Sequence, residues 1–382
     1  MAKKGTNIST IKGRMIINGD SAKELKKFKD NSIDAVITAP PYGLEFLAKD
    51  WDSNTGAVEI WQECLRVLKP GGFLLAFSAA RTYHILATNI QSVGFEIRDQ
   101  IMWLYASGFP KAQKIKGFPG WKTQLKPAHE PICMARKPIK GPQYKNMAKY
   151  GVGALNIDES RIPYENEKDL DTYVNNIKGP LERSTAKEGD NIGMHQGKTG
   201  LKVQKGKVVM PQAGRRTASF SFGHKPTQSG GDGSPEFVAN EKGRFPSNVI
   251  GEVEGYQQYY FCPKVSRKER NIGCEDREAK PLFKDRHKDA KALGSWADKR
   301  DQAHKNNHPC VKPISLMKYL IKLVAPNGSH ILDPFAGSGT TGMAAKEMGY
   351  KFTGIEIDAN YVDICIRRIE ATKTDPKHTL FK

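Results

Sequence analysis

Apolar runs of strand length alternate with segments of helical period over two stretches of the chain, 15–105 and 308–372, and hardly at all between them. In the first stretch, 15–20 reads as a short strand ending in a turn. Ser21 then reads as a helix N-cap with Glu24 at the capping-box position, and the helix runs to 29. Residues 33–38 form a β-rich apolar run of the kind found in central strands. The pattern then predicts a helix over 61–68 stopped by Pro70-Gly71-Gly72, a buried strand over 73–77, a helix over 82–93 and a strand over 94–104. In the second stretch it predicts a helix over 314–324, a strand over 330–332, a helix over 342–348, a strand over 350–355 and a last helix over 361–372.

Between these stretches Gly, Pro, Lys, Asn and Ser dominate and periodicity is poor. Strand-like islands occur within 127–136, at 153–157 and at 248–250, while 191–233 reads as long loops. Strand–helix units on both sides of such a region point to one α/β sheet built from the two ends of the chain.

The most informative turn is Asp333-Pro334-Phe335-Ala336-Gly337-Ser338-Gly339-Thr340-Thr341, between the 330–332 strand and the helix after it. A strand, a glycine turn and a helix N-terminus aim backbone N–H groups at a ligand. Gly337, Gly339 and Gly342 have G-x-G-x-x-G spacing, and Glu356 lies about 20 residues further on, where the dinucleotide fingerprint has an acid that holds ribose hydroxyls. A nucleoside cofactor is expected there. Too little chain follows to complete a doubly wound sheet, so the remaining strands must come from earlier in the sequence, in circularly permuted order. A second feature is Ala39-Pro40-Pro41-Tyr42-Gly43, directly after the 33–38 strand. Two prolines fix a stiff turn at the carboxyl end of a strand, where ligands bind in open α/β sheets. Taken alone, the turn reads better as a strand terminator with a tyrosine packed on it.

Composition narrows the function. The formal net charge is +19 over 382 residues, and most of the basic excess falls between 111 and 307. A focused excess of this kind suits a polyanion, most simply nucleic acid. Arg215 and Arg216, and the cluster Lys264, Arg267, Lys268 and Arg270 beside Tyr259 and Tyr260, are candidate contacts for phosphates and bases. No apolar run is long enough to span a membrane, and no secretory signal is recognisable, so a cytoplasmic protein is expected. None of the six cysteines forms a C-x-x-C pair, and no metal site is expected.

Together these pieces resemble the permuted, beta-group amino-methyltransferases that modify exocyclic amines of DNA bases. The resemblance rests on Pro40-Pro41-Tyr42, the turn from Asp333 to Thr341, and Lys312, Pro313 and Leu316 before it, and it covers roughly 15–105 and 308–372. It implies a Rossmann-like methyltransferase fold with a mostly parallel seven-stranded sheet and a large inserted DNA-recognition region. The implied division is a catalytic half at 1–107, the insertion at 108–307 and a cofactor half at 308–382. The implied cofactor is S-adenosylmethionine. Asp333, Phe335, Gly337, Ser338, Gly339 and Thr340 would hold its amino-acid portion, Glu356 its ribose, and Asp20 its adenine or amine end, with Lys312 and Pro313 walling the pocket. The implied partner is double-stranded DNA in a bacterial, archaeal or phage setting. Tyr42 would stack on a flipped base. A homodimer and a restriction partner stay open, as does cytosine N4 as the target.

One position departs from the family pattern. Members carry Asp, Asn or Ser where this chain has Ala39. That side-chain oxygen accepts a hydrogen bond from the target amine, and the Pro40 carbonyl accepts the other. An alanine in an otherwise intact motif reads as engineered inactivation of an aspartate enzyme. Asp-Pro-Pro-Tyr-Gly is the commonest family form and favours adenine N6. A non-catalytic DNA-binding protein of the same fold is the competing reading.

Overall fold

The computed structural model describes residues 7–11, 13–44, 52, 54–105, 112–164, 166–171, 239–251, 262–280 and 304–375, together with three short strands. Those strands, β7 (Asn191–Ile192), β8 (Leu201–Gln204) and β9 (Lys207–Val209), form a small antiparallel sheet where the sequence suggested only loops. Arg215, Arg216, Tyr259 and Tyr260 lie outside the described residues.

The chain divides into two compact units, Met1–Ser160 with Ser247–Lys382, and Arg161–Pro246. The separate unit is therefore shorter than the expected 108–307 insertion. Within it Ile162 bridges Arg244, and Arg244 pairs with Asp169.

The larger unit holds a nine-stranded sheet in the order β1-β2-β12-β11-β3-β4-β6-β5-β10. Its strands are β1 (Asn7–Ile11), β2 (Arg14–Asn18), β3 (Ile33–Thr38), β4 (Leu68–Phe77), β5 (Glu96–Leu104), β6 (His129–Arg136), β10 (Val249–Gly251), β11 (His330–Asp333) and β12 (Lys351–Glu356). Seven were expected; β1 and β10 extend the two edges. The centre is parallel, with β11 between β12 and β3. The two ends of the sequence thus meet as neighbours, as the permuted order requires. β6 runs antiparallel between β4 and β5, and β10 pairs parallel to β5. Both strands come from the expected insertion. β6 has six consecutive buried residues, a surface that only a covered sheet can absorb.

Alternating positions feed two cores. Ile16, Ala35, Ile37, Phe73 and Leu75 face helices α6 (Ile314–Val324), α7 (Thr340–Glu347) and α8 (Ala359–Ala371). Ile17, Ile33, Val36 and Leu74 face α1 (Ser21–Glu24), α2 (Val58–Val67) and α3 (Tyr83–Ser92). Two shorter helices are α4 (Gln143–Tyr150) and α5 (Arg267–Arg270).

Several local expectations are corrected. Asp20, not Ser21, caps α1; its carboxylate accepts from the N–H groups of Ala22 and Lys23, and the helix gives way to a 3-10 turn at Leu25–Lys27. β4 starts at Leu68 and runs through Pro70, which was expected to lie in a stop. Its ladder shifts register there, where β3 skips from Ile33 to Ala35. Residues 153–157 form no strand, and the Asn156 N–H donates instead to the Leu323 carbonyl at the end of α6.

Candidate active site

β3, β11 and β12 end on the same rim of the sheet, and their following turns enclose a cavity of about 620 Å³. One side carries Ala39, Pro40, Pro41 and Tyr42. The other carries Phe335, Gly337 and Glu356, with Asp20 and Ser21 from the first turn of α1. The two turns are fastened behind the rim. The buried Asp333 carboxylate accepts from the Thr38 hydroxyl at 2.6 Å, the Thr341 hydroxyl at 2.6 Å and the Phe335 N–H at 3.1 Å. Burial pushes its pKa up to about 6 against the pull of those three donors. Asp333 is thus a knot between β3, β11 and α7.

The glycine turn is equally committed. Gly339 caps α7 with φ near 78°, a conformation that costs glycine least. A Cβ on Gly342 would come within 2.4 Å of Ile369 and 2.7 Å of Phe352, so this glycine lets α7 lie close on β12 and α8. Arg368, fully buried on α8, reaches under the turn. Its guanidinium donates to the Ser338 carbonyl at 2.7 Å, the Ser338 hydroxyl at 3.2 Å and the Thr340 hydroxyl at 3.1 Å. Burial lowers its pKa to about 10. Ser338 and Thr340 therefore hold the turn's shape and border only a small void beside the main cavity.

Glu356 closes the turn from the front. Its carboxylate accepts from the Gly337 N–H at 2.9 Å and the Asp358 N–H at 2.8 Å. Burial raises its pKa to about 7, against those two hydrogen bonds. Beside it Ile357 is 65% exposed, an apolar face in the cavity wall. Phe335 also lines the cavity, tilted against the Trp61 ring at 5.8 Å.

Around Tyr42 the wall is built differently. The Tyr42 hydroxyl donates to Glu130 Oε2 at 2.8 Å, and Lys312 Nζ donates to both, at 2.8 and 2.7 Å. Lys312 also lies over the rings of Tyr42 and Phe77. Burial would raise the Glu130 carboxyl, but the Lys312 ammonium and the hydrogen bonds from Lys312 and Tyr42 outweigh it, and the net shift is downward. Burial first, then the Glu130 charge, lifts the Tyr42 phenol well above its ordinary value. The backbone N–H groups of Tyr42 and Gly43 donate to Asp52.

The sequence-derived residues divide accordingly. Ala39 to Tyr42, Asp20, Phe335, Gly337 and Glu356 share the main cavity. Lys312, expected to wall the pocket, lines the same cavity and also holds Tyr42. Pro313 does not line the cavity; it is the N-cap position of α6. Arg270 was expected on DNA, yet it lines the cavity and donates to the His308 carbonyl at 2.7 Å. Lys264, Arg267 and Lys268 are exposed.

Glu130, His308 and Arg368 were missed. His308 stacks edge-on to Tyr361 at 4.6 Å, and a Cβ on Gly337 would meet its ring at 2.7 Å. Burial, then the charges of Arg270 and Lys312, push its pKa down to about 3, so the ring is neutral. Among the described residues no three His, Cys, Asp or Glu side chains gather as a metal site. No described helix is long and apolar enough to cross a membrane.

Known proteins bear on this geometry. The chain is 24% identical to the type II methyltransferase M.HindIII of Haemophilus influenzae, covering 94% of this chain and 96% of that one. It is 24% identical to the DNA adenine methyltransferase YhdJ of Escherichia coli, over 94% and 83% of the two chains. Among solved structures it is similar to an M1.HpyAVI complex with SAM, with a TM-score of 0.41, 17% identity and coverage of 92% and 98%. The sequence model of the N6_N4_Mtase family, described as DNA methylase, matches residues 33–367. That match spans both turns of the cavity and the region between them, and the chain belongs to this DNA methylase family.

Proposed function

We propose that this DNA methylase moves a methyl group from S-adenosylmethionine to the exocyclic N6 of adenine in double-stranded DNA, acting on a base rotated out of the helix. One observation carries the reading: the Pro-Pro-Tyr turn and the glycine turn with Glu356 meet in a single cavity. The cavity has the size of ordinary ligand sites, about 300–1,000 Å³. Its residues fit the cofactor. Glu356 would accept from ribose hydroxyls, Phe335 and Ile357 would cover the adenine, and the turn from Asp333 to Gly339 with Asp20 would enclose the rest. The bound cofactor supplies a methyl group on a positively charged sulfur.

The chain's own residues handle the base. An amine inside the duplex cannot reach the cavity, so the target nucleotide must be extruded. Tyr42 offers a ring for stacking, held by Glu130 and Lys312. The Pro40 carbonyl accepts one hydrogen bond from the amine, which helps to localise a lone pair otherwise spread into the ring. A second acceptor would stabilise charge that develops in the transition state. Ala39 offers none, and Asp333 is already engaged by Thr38, Thr341 and Phe335. The protein as it stands is therefore catalytically impaired. A void of about 30 Å³ borders the Ala39 methyl group and leaves space for a longer side chain. Adenine is favoured by the Pro-Pro-Tyr-Gly form of the motif and by similarity to an adenine methyltransferase. Lys264, Arg267 and Lys268 supply exposed positive charge for phosphates.

The substitution Ala39→Asp is expected to raise the rate of methylation by about a hundredfold or more. Nucleosides from treated DNA, read by mass spectrometry, should then contain N6-methyladenine. N4-methylcytosine in its place would move the assignment to cytosine. If the variant binds cofactor and duplex yet leaves DNA unmodified, the account of Ala39 is wrong.

A further inference from the structure

Exposed apolar side chains cluster at one place between β5 and β6. Phe118 is 61% exposed, Trp121 72% and Leu125 91%. They sit on a hairpin whose strands meet at an antiparallel bridge between Lys114 and Lys122. Two consecutive turns build its tip. The Phe118 N–H donates to the Ile115 carbonyl, and the Trp121 N–H donates to the Phe118 carbonyl, both at 3.2 Å. Each turn has glycine with positive φ at its third position, Gly117 and Gly120, and Pro119 precedes Gly120, which suits a type II turn. The Thr123 hydroxyl accepts from the Gln113 N–H at 2.9 Å, and the Thr123 N–H donates to the Gln113 carbonyl at 3.1 Å. The tip is therefore specified by its own turn chemistry, and most of its aromatic surface is left exposed.

Two further observations say what it meets. Lys114, Lys116, Lys122 and Lys126 are all exposed on the hairpin, and no acidic residue occurs between 112 and 129. The segment is also rooted in the active site, because Tyr105 on one side of it and Pro127 on the other both line the cavity. A second copy of this chain, itself carrying a net charge of +19, is a poor match for a purely basic hairpin. A polyanion approaching the cavity mouth is a good one.

We propose that the 112–126 hairpin is the element that engages the duplex beside the target base. Its lysines pair with phosphates, and Phe118 and Trp121 stack on bases unpaired by the extrusion. Apolar wedges between base steps and aromatic stacking on exposed bases are both established ways for proteins to hold distorted nucleic acid. The proposal rests on the chain acting on DNA, and its test separates the two.

The test uses the full-length protein and a fluorescein-labelled duplex with a central run of mismatches, compared with the fully paired duplex by fluorescence anisotropy. The parent protein is expected to prefer the mismatched duplex, whose bases unstack at low cost. The double variant Phe118→Ala, Trp121→Ala should lose about tenfold in affinity for it, and with that the preference. Trp121→Phe should retain both, because a ring remains. Lys114→Glu with Lys122→Glu should weaken both duplexes and lower the slope of log affinity against log salt by about two. Cofactor binding by calorimetry should be unchanged in every variant. If the parent binds no duplex at all, the DNA reading fails and the hairpin's role with it. If the parent binds but the aromatic variant binds equally well, the hairpin proposal alone is overturned. It is also overturned if the aromatic variant loses cofactor binding in parallel, or if the aromatic substitutions instead turn a dimer into a monomer.

Discussion

The two walls of the cavity are built on opposite plans. The glycine turn is fixed from behind by buried polar groups bonded to backbone and hydroxyl partners: Asp333 across to Thr38 and Thr341, Arg368 up to Ser338 and Thr340. In the wall around Tyr42 the side chain is held by one ion pair, Lys312 with Glu130, whose members come from a loop before α6 and from β6. The first plan holds the backbone to a shape before any ligand arrives. The second holds one aromatic side chain against its own rotation while leaving its ring available. Preorganised dipoles suit the part that binds a constant cofactor. A single charged clamp suits the part that must admit and release a base.

The contrast can be broken experimentally. Arg368→Ala should have the largest effect. It strips partners from the Ser338 carbonyl and the Thr340 hydroxyl in a buried site, and should lower stability by about 3 kcal/mol in urea unfolding. A loss below about 1 kcal/mol would mean the glycine turn holds itself. Next comes Glu130→Gln, which leaves the Lys312 ammonium buried without its counter-charge; the amide oxygen can still accept its hydrogen bond, so the cost should be about 2 kcal/mol, below that of losing the partner outright. The pair Glu130→Leu with Lys312→Met should recover most of that stability, because two buried charges disappear together, while capture of an extruded base falls. If the pair is no more stable than Glu130→Gln, the clamp is held by packing and not by charge.

The smallest effect is on cofactor binding. The Glu356 carboxyl, raised to about 7, is mostly protonated at pH 6 and mostly ionised at pH 8. Hydroxyl donors favour the ionised form, so affinity for S-adenosylmethionine should rise with pH, by about tenfold across that window. Binding below pH 7 should release a proton, visible as a buffer-dependent heat. Glu356→Gln should flatten the profile. A flat profile in the parent protein would show that Glu356 does not meet the ribose.

Much of this molecule was legible in its pattern of residues. Ile33 to Thr38 is apolar enough to be a central strand, and Pro40-Pro41 ends it at the rim. The glycine spacing of the turn at Asp333 is common to tight turns, and it gains meaning from the acid at Glu356 about 20 residues on. What escaped has a physical reason. Glu130 is the second residue of a strand whose other residues look ordinary, and its partners lie 88 and 182 residues away. Arg368 did leave a trace. It falls on the buried stripe of α8 with Tyr361, Ile364, Cys365 and Ile369, where a cation must have found acceptors. Asp20 was assigned to the cofactor through the family resemblance; it lines the cavity, and its capping of α1 was given to Ser21. Arg270 was judged by charge alone, and charge does not reveal that a side chain turns inward.

The seam between β3 and β11 joins residues nearly three hundred positions apart. While the chain is being made, Ala35 and Val36 have no neighbour on that side until Ile331 and Leu332 leave the ribosome. The nascent polypeptide thus carries a long-lived open strand edge, and no cofactor pocket exists until β11 and β12 have been made. Closure of that edge is a late, long-range event, which favours slow maturation and makes chaperone shielding of β3 advantageous.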